Sequence, residues 1–374
     1  MKRRSFLKYS ALSTAAITTS SLGLLESCNT NIISPKWNGK RLIIVKLDGG
    51  NDSLFSMCPT FDKTIIHARP KLYSAIEKNA IEVQNSWILN GHFKQLHELY
   101  KNEELLFLPL VGYPKPNTSH FKSAEIWETA YLPSESHSKS GWIGRYLNSK
   151  NKTNELVRAI NVHENHTLYD KSDNDTAYSW INNEPLNWYS SQINDFLLNA
   201  ESPEIVEKVN KQKMLMQWLN DIQIQENENQ SLNAQLQKAT EIILKEKPFQ
   251  IIHCQQSGYD THIAELDRLP KLYTELDRSL FNLRNNLSKD GFWNNTVVFV
   301  YSEFGRTIDE NQNIGTDHGS ASFCMLLGGN LKESLPSSQN YSKLPENILF
   351  QKYNLLQETI DFRDLYTQFI TYLG

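Results

Sequence analysis

Short, largely apolar runs punctuate this chain: Arg41–Leu47, Leu105–Val111, Arg158–Val162, Phe249–Cys254, the β-branched Thr296–Tyr301 and Ser322–Leu327. Runs this brief and this continuously apolar predict strands buried on both faces of a sheet. Helical spacing fills the intervals. Lys122–Ala130 follows the second run, and Leu266, Leu269, Leu272, Leu276, Leu280, Leu283 and Leu287 follow the fourth, with Pro270 expected to kink or divide that helix. Around residues 203–246 the chain turns to Lys, Glu, Gln and Asn, with Met214, Leu215, Trp218, Leu219 and Ile222 forming one apolar stripe. That stretch predicts a helical insertion. Strands separated by helices imply parallel pairing with right-handed crossovers. The expected fold is therefore a single α/β domain over residues 37–374, a three-layer α/β/α sandwich with a mainly parallel sheet.

Polar residues gather where these strands end. Asp48 follows the first run within Asp48-Gly-Gly-Asn-Asp52, and Asp260 and His262 follow the fourth. Glu303 follows the fifth, with Arg306 close behind and Asp317-His318 in the same loop. The C-terminal ends of parallel strands share one edge, where open α/β sheets bind their ligands. Carboxylates together with imidazoles are the donor set of zinc-type divalent metals, whereas calcium prefers oxygen alone. Without a cation, grouped carboxylates would repel one another. Each of these aspartates lies near glycine, where Asp also serves in turns and caps, so their convergence carries the expectation rather than any single acid. Ser119 is placed to cap the helix beginning near residue 120. His120 beside it is a weaker candidate, and the remaining histidines read as packing or surface residues.

The beginning of the chain has a different character. Lys2-Arg3-Arg4-Ser5-Phe6-Leu7-Lys8 resembles a twin-arginine export signal, and the weakly apolar stretch to Leu25 is too short and polar to span a bilayer. Leu25-Glu26-Ser27-Cys28 resembles a lipoprotein processing box, with Glu26 an unusual occupant. Residues 1–28 are thus expected to be a signal segment. The mature protein is expected in the periplasm, tied to a membrane only through a lipid on Cys28. Composition narrows the partners. With 39% hydrophobic residues and a formal net charge of −4, the chain is an ordinary globular protein without the basic stripe that nucleic acid requires. Cys58, Cys254 and Cys324 are too widely spaced for a zinc knuckle, and the last two lie in apolar runs as buried strand residues.

Six motifs occurring together resemble those of the exported bacterial family called domain of unknown function 1501. They are Leu47–Asp52, Asn117–Phe121, Ser140–Arg145, Tyr259–His262, Ser302–Thr307 and Gly315–Gly319, and they cover about residues 40 to 330. That family is grouped with the alkaline phosphatase and sulfatase superfamily. The resemblance implies Asp48 as a metal ligand at the end of the first strand and Ser119, 71 residues later, as a nucleophile at a helix N-terminus. It further implies Asp260, His262 and His318 as ligands, with Glu303 and Asp317 as additional acids. Arg306 or Arg145 would hold the anionic oxygens. A metal-dependent hydrolase of phosphate or sulfate esters follows, with an envelope glycan or lipid as substrate.

Departures from the superfamily matter equally. Asp260 and His262 are two residues apart where four is usual, and Glu303-Phe304 stands where an Asp-His pair is expected. Phenylalanine cannot ligate a metal. One site from Asp260, His262 and His318 survives this test, while a second from Asp48, Glu303 and Ser119 lacks its imidazole, with Asp52 and Asp317 as the acids left to replace it. The competing expectation is a non-catalytic binding or assembly protein that keeps the fold.

Overall fold

The computed structural model describes residues 37, 39–132, 134–135, 140–150, 158–163, 177–179, 231–351 and 354–374. The leader with Cys28 and the apolar stripe at 214–222 lie outside these residues. The centre is an eight-stranded sheet of β1 (Arg41–Asp48), β2 (Leu105–Gly112), β3 (Ala159–Asn161), β4 (Ala177–Ser179), β5 (Ile251–Ser257), β6 (Thr296–Tyr301), β7 (Ser322–Gly328) and β8 (Ile360–Asp361), in the order β8-β2-β7-β6-β1-β5-β3-β4. The inner strands β1, β5 and β6 are buried almost throughout, as their continuous apolar runs require.

All pairings are parallel except those of β7, which runs antiparallel to both β6 and β2. Parallel pairing was the expectation for Ser322–Leu327, and the connection explains the difference. A parallel return needs a crossover, usually a helix, and no helix lies between Tyr301 and Ser322. The chain instead doubles back and brings its loop over the sheet edge. Because two antiparallel contacts separate β2 from β6, β2 again points the same way as β1. The loop after β2 therefore reaches the edge where β1, β5 and β6 end. The register shift between Ser322 and Cys324 lies opposite Leu108–Val111, where Pro109 has no N–H to give the ladder.

Helices cover both faces. On one side Ile43, Val45 and Leu47 of β1 pack with α1 (Lys94–Lys101), α4 (Leu232–Leu244) and α5 (Glu265–Lys289). On the other, Leu42 and Ile44 pack with α2 (His120–Thr129), α3 (Trp142–Lys150) and α6 (Phe362–Leu373). This is the three-layer α/β arrangement with a mixed, mainly parallel sheet. Pro270 lies within α5, which continues unbroken past it. The edge strand β8 carries no pattern readable in advance, since two strand residues are too few to show a period. No helix among the described residues is long and apolar enough to cross a membrane.

Candidate metal centre

Two glycines let the loops at the sheet edge approach closely. Gly49 and Gly50 adopt φ of +120° and +77°. A Cβ on the first would stand 2.4 Å from the Asp260 amide nitrogen, and one on the second 2.2 Å from the Phe304 ring. Beneath them lies Arg306, only 1% exposed. Its guanidinium donates to the carbonyls of Gly49, Gly50, Tyr259 and Thr316, and to Asp260 Oδ1 at 2.7 Å. One side chain thereby ties together the loops after β1, β5 and β6. Its donors are spent on the protein.

Three imidazoles face Asp260 across this platform. His262 Nε2 and His318 Nε2 lie 3.2 and 3.4 Å from Asp260 Oδ1 and 2.9 Å from each other. His120 Nε2 lies 3.6 Å from Asp260 Oδ2. The opposite nitrogen of each ring meets an oxygen acceptor: Nδ1 of His120 meets Glu303 Oε1 at 2.9 Å, Nδ1 of His262 meets Asp317 Oδ1 at 3.0 Å, and Nδ1 of His318 meets the Thr118 carbonyl at 2.7 Å. Each acceptor holds the proton on Nδ1 and leaves the Nε2 lone pair aimed inward, as outer partners do for metal-ligating histidines. Phe304, buried beside His120 and His318 with ring centroids 4.9 and 4.8 Å away, packs the two rings in place.

The electrostatics follow from these contacts. Burial alone would raise the Asp260 carboxyl, but the hydrogen bond and charge of Arg306 outweigh it and hold the group below its ordinary range. Burial of Glu303 is likewise overcome, here by the hydrogen bond from His120 and the charge of Lys46. The same Glu303 contact raises His120. His318 is lowered, first by burial and then by the neighbouring charges, Arg306 among them.

This donor set fits a zinc-type ion. Bonds of about 2.0–2.1 Å in a tetrahedron put neighbouring donor atoms roughly 3.3 Å apart, and Asp260 lies 3.2–3.6 Å from the three imidazole nitrogens. His120, Asp260 and His318 each bring one ligand atom within 4.8 Å of the others. The Nε2 of His120 is buried and meets no hydrogen-bond partner, and two inward lone pairs at 2.9 Å repel unless a cation or a shared proton lies between them. These residues could hold a metal ion.

A buried network supports the ligand loops from below. Glu265 Oε2 accepts from the hydroxyls of Thr261 and Thr316, which precede His262 and Asp317-His318 respectively. Beside it Asp52 caps the helix Ser53–Ser56 and pairs with Arg69 at 2.7 Å. Arg69 also donates to the Thr307 and Ile308 carbonyls. Asp52 is thus committed to structure.

The residues expected from sequence divide accordingly. Asp260, His262 and His318 converge, while Glu303 and Asp317 stand behind His120 and His262 as acceptors. Asp48 turns aside to pair with Lys46. Ser119 occupies the N-cap position of α2, but its side chain makes no capping bond; its N–H donates to Asn117 Oδ1 and the residue is exposed. It lies between Thr118, bonded to His318, and His120. Arg145 donates to the carbonyls of Ser140 and Thr129 and stacks over Tyr131, apart from the cluster. His120 is the residue that sequence reasoning undervalued. Its only signal was its place after Ser119 in the Asn117–Phe121 motif.

Comparison with solved structures finds partial overlaps at low identity. The chain is similar to the zinc complex of the C-terminal periplasmic domain of EcEptC from Escherichia coli, with 10% identity, a TM-score of 0.41, and 88% of this chain and 96% of that one covered. It is similar to a protein in the alkaline phosphatase superfamily from Vibrio parahaemolyticus at 12% identity and a TM-score of 0.38, covering 79% and 63% of the two chains. The PsFucS1 sulfatase from Pseudoalteromonas sp. gives 10% identity and a TM-score of 0.37, covering 78% and 63%. The chain thus spans under two thirds of the length of the last two, and overlaps of this size carry no functional weight. A search of curated proteins finds no match. The sequence profile of the family described as "Protein of unknown function (DUF1501)" matches residues 111–341, well over half the chain, and the protein belongs to that family.

Proposed function

We propose that this protein is a metal-dependent hydrolase of phosphate or sulfate esters. The carrying observation is the set of three imidazoles, each held through Nδ1 by an oxygen acceptor, that turn Nε2 toward Asp260. Asp260, His120, His262 and His318 would hold the ion, of zinc type by its donors. When bound, such an ion acts as a Lewis acid on the ester's oxygens. The exposed Ser119 hydroxyl is the nucleophile. Its oxygen bonds to the phosphorus or sulfur centre as the ester bond breaks, its proton ending on the alcohol that leaves, and water then releases the anion and restores the hydroxyl. The free N–H groups at the start of the ten-residue α2 favour the anionic oxygens. Phe121 and Ile263, each next to a cluster histidine, are 90% and 55% exposed and give the site an apolar rim suited to a lipid or glycan ester.

The leader motifs support export by the twin-arginine route, with anchoring through Cys28 and a substrate in the envelope. Protein purified without chelator should carry about one zinc-type ion per chain and hydrolyse an aryl phosphate or aryl sulfate. Ser119→Ala should abolish turnover and leave melting unchanged, since the hydroxyl makes no capping bond. Metal content far below one ion per chain, with neither ester hydrolysed, would overturn this reading. It would favour a non-catalytic envelope binding protein, which the loss of an imidazole at Phe304 also suits.

A further inference from the structure

A second group of carboxylates lies at the same edge, and it is occupied by a side chain. Strand alternation puts Lys46 and Asp48 on the face of β1 that carries Leu42 and Ile44. The ammonium lies 2.8 Å from Asp48 Oδ1, and the Lys46 side chain is 9% exposed against 38% for Asp48. In register it stands between Gln255 of β5 and Tyr301 of β6. Glu303 and Glu128 add negative charge around it. Burial by itself would lower Lys46, but Glu303, Asp48 and Glu128 together outweigh that and raise it. An ammonium withdrawn from water stays charged only when carboxylates surround it.

The acids that would serve a second metal ion are already engaged. Asp48 accepts from Lys46. Glu303 Oε1 accepts from the Gly49 N–H at 3.0 Å and from His120, and its Oε2 faces the Ser302 hydroxyl at 3.3 Å. A divalent ion beside Asp48 and Glu303 would have to approach a fixed positive charge and strip both acids of their donors.

We propose that the Lys46 ammonium takes the place of a second metal ion beside Asp48 and Glu303, so that the site works with one ion only, held by Asp260 and its imidazoles. This rests on the metal reading above. It makes the neutralising charge on the Asp48 side permanent, independent of metal supply.

The test is metal stoichiometry in the full chain. After equilibration with excess zinc and gel filtration, mass spectrometry of the metal should find about one ion per chain in the wild type and in Lys46→Arg. Lys46→Ala, with its fold checked by circular dichroism, should rise toward two ions. Manganese-loaded wild type gives an independent measure, with an isolated-ion electron paramagnetic resonance spectrum expected. Two ions in the wild type, or a spin-coupled manganese pair, would overturn this inference and leave the hydrolase reading standing. A folded Lys46→Ala that keeps one ion would also overturn it. Metal far below one ion would remove the centre itself and this inference with it.

Discussion

Glu265 offers a sharp test of how the metal centre is built. It opens α5, is fully buried, and joins the two ligand loops by accepting from Thr316 Oγ1 at 2.7 Å and Thr261 Oγ1 at 3.2 Å. Both threonines are also fully buried. Burial first, and then the Asp52 carboxylate beside it, push the Glu265 carboxyl far above its ordinary range. Its Oε1 meets no hydrogen-bond partner, and with a proton there it would turn a donor to the neighbouring Asp52 carboxylate. Glu265→Ala strands two buried hydroxyls at about 1–3 kcal/mol each, so a loss near 3 kcal/mol is expected, a fall of roughly 4 °C in Tm for a domain of this size. The ligand loops lose their common support, and zinc affinity should fall by about 10–100-fold.

Glu265→Gln separates this account from plain loss of packing. The amide keeps an oxygen for both threonines and offers an N–H to Asp52 where the protonated acid offered O–H. Its zinc affinity should match wild type and its stability should lie within about 1 kcal/mol. The pH dependence has a definite sign. Folding above the unfolded value of about 4.3 makes wild-type Glu265 take up a proton, so its contribution to stability falls as pH rises toward the raised folded value. Glutamine has no such term. The Tm difference should therefore shift in favour of Glu265→Gln between pH 5 and pH 8. Zinc competition titrations and melts over that range are the assays. Equal damage from Gln and Ala would refute the protonated-acid bridge, and an unperturbed Glu265→Ala would refute the support role.

Three further outcomes are expected. His120→Ala should weaken zinc binding more than Asp317→Asn, because the first removes a ligand atom and the second only the acceptor behind His262, worth about 10–100-fold; the reverse ranking in competition titrations would exclude His120 from the ligand set. In metal-free protein the His120–Glu303 pair should add stability between about pH 4.3 and 6.5, fading as pH rises through the raised His120 value and as it falls through the lowered Glu303 value. The Tm difference between wild type and His120→Gln should peak in that window, and a maximum above pH 8 would contradict the pairing. Gly50→Ala and Gly291→Ala share φ of +77°, but only at Gly50 does the new Cβ meet a buried ring, at 2.2 Å, while nothing lies within 4 Å of the other. Denaturant unfolding should show a loss of about 1–2 kcal/mol at Gly291 from backbone strain and at least twice that at Gly50.

Much of the fold was legible because the evidence for it is local. Thr296–Tyr301 and the Leu42–Val45 centre of the first run are so uniformly apolar that only strands covered on both faces can accommodate them, and the leucine spacing of residues 266–287 admits only a helix. Parallel strands then bring Asp260, His262 and His318 to one edge whatever the loops do. The antiparallel return of β7 was less accessible, because strand direction depends on whether a connection packs as a helix, and the polar stretch 302–321 has no period to reveal that.

Side-chain partnerships were decided in three dimensions. Strand alternation already put Lys46 on the face of Asp48, but only the fold shows the 2.8 Å pair that withdraws Asp48 from a ligand's role. Arg306 looked free to bind an anion until three loops closed their carbonyls around it. His120 became part of the metal centre because β2 points the same way as β1 and sets its loop against His318. A hydrogen bond needs its partners within about 3 Å, and register and loop approach, which no linear pattern carries, determine which partners come that close. The sequence by itself thus determined the strands, the shared edge and the donor types. Tertiary structure alone decided which acids face a metal, which face a lysine, and which merely hold an imidazole in place.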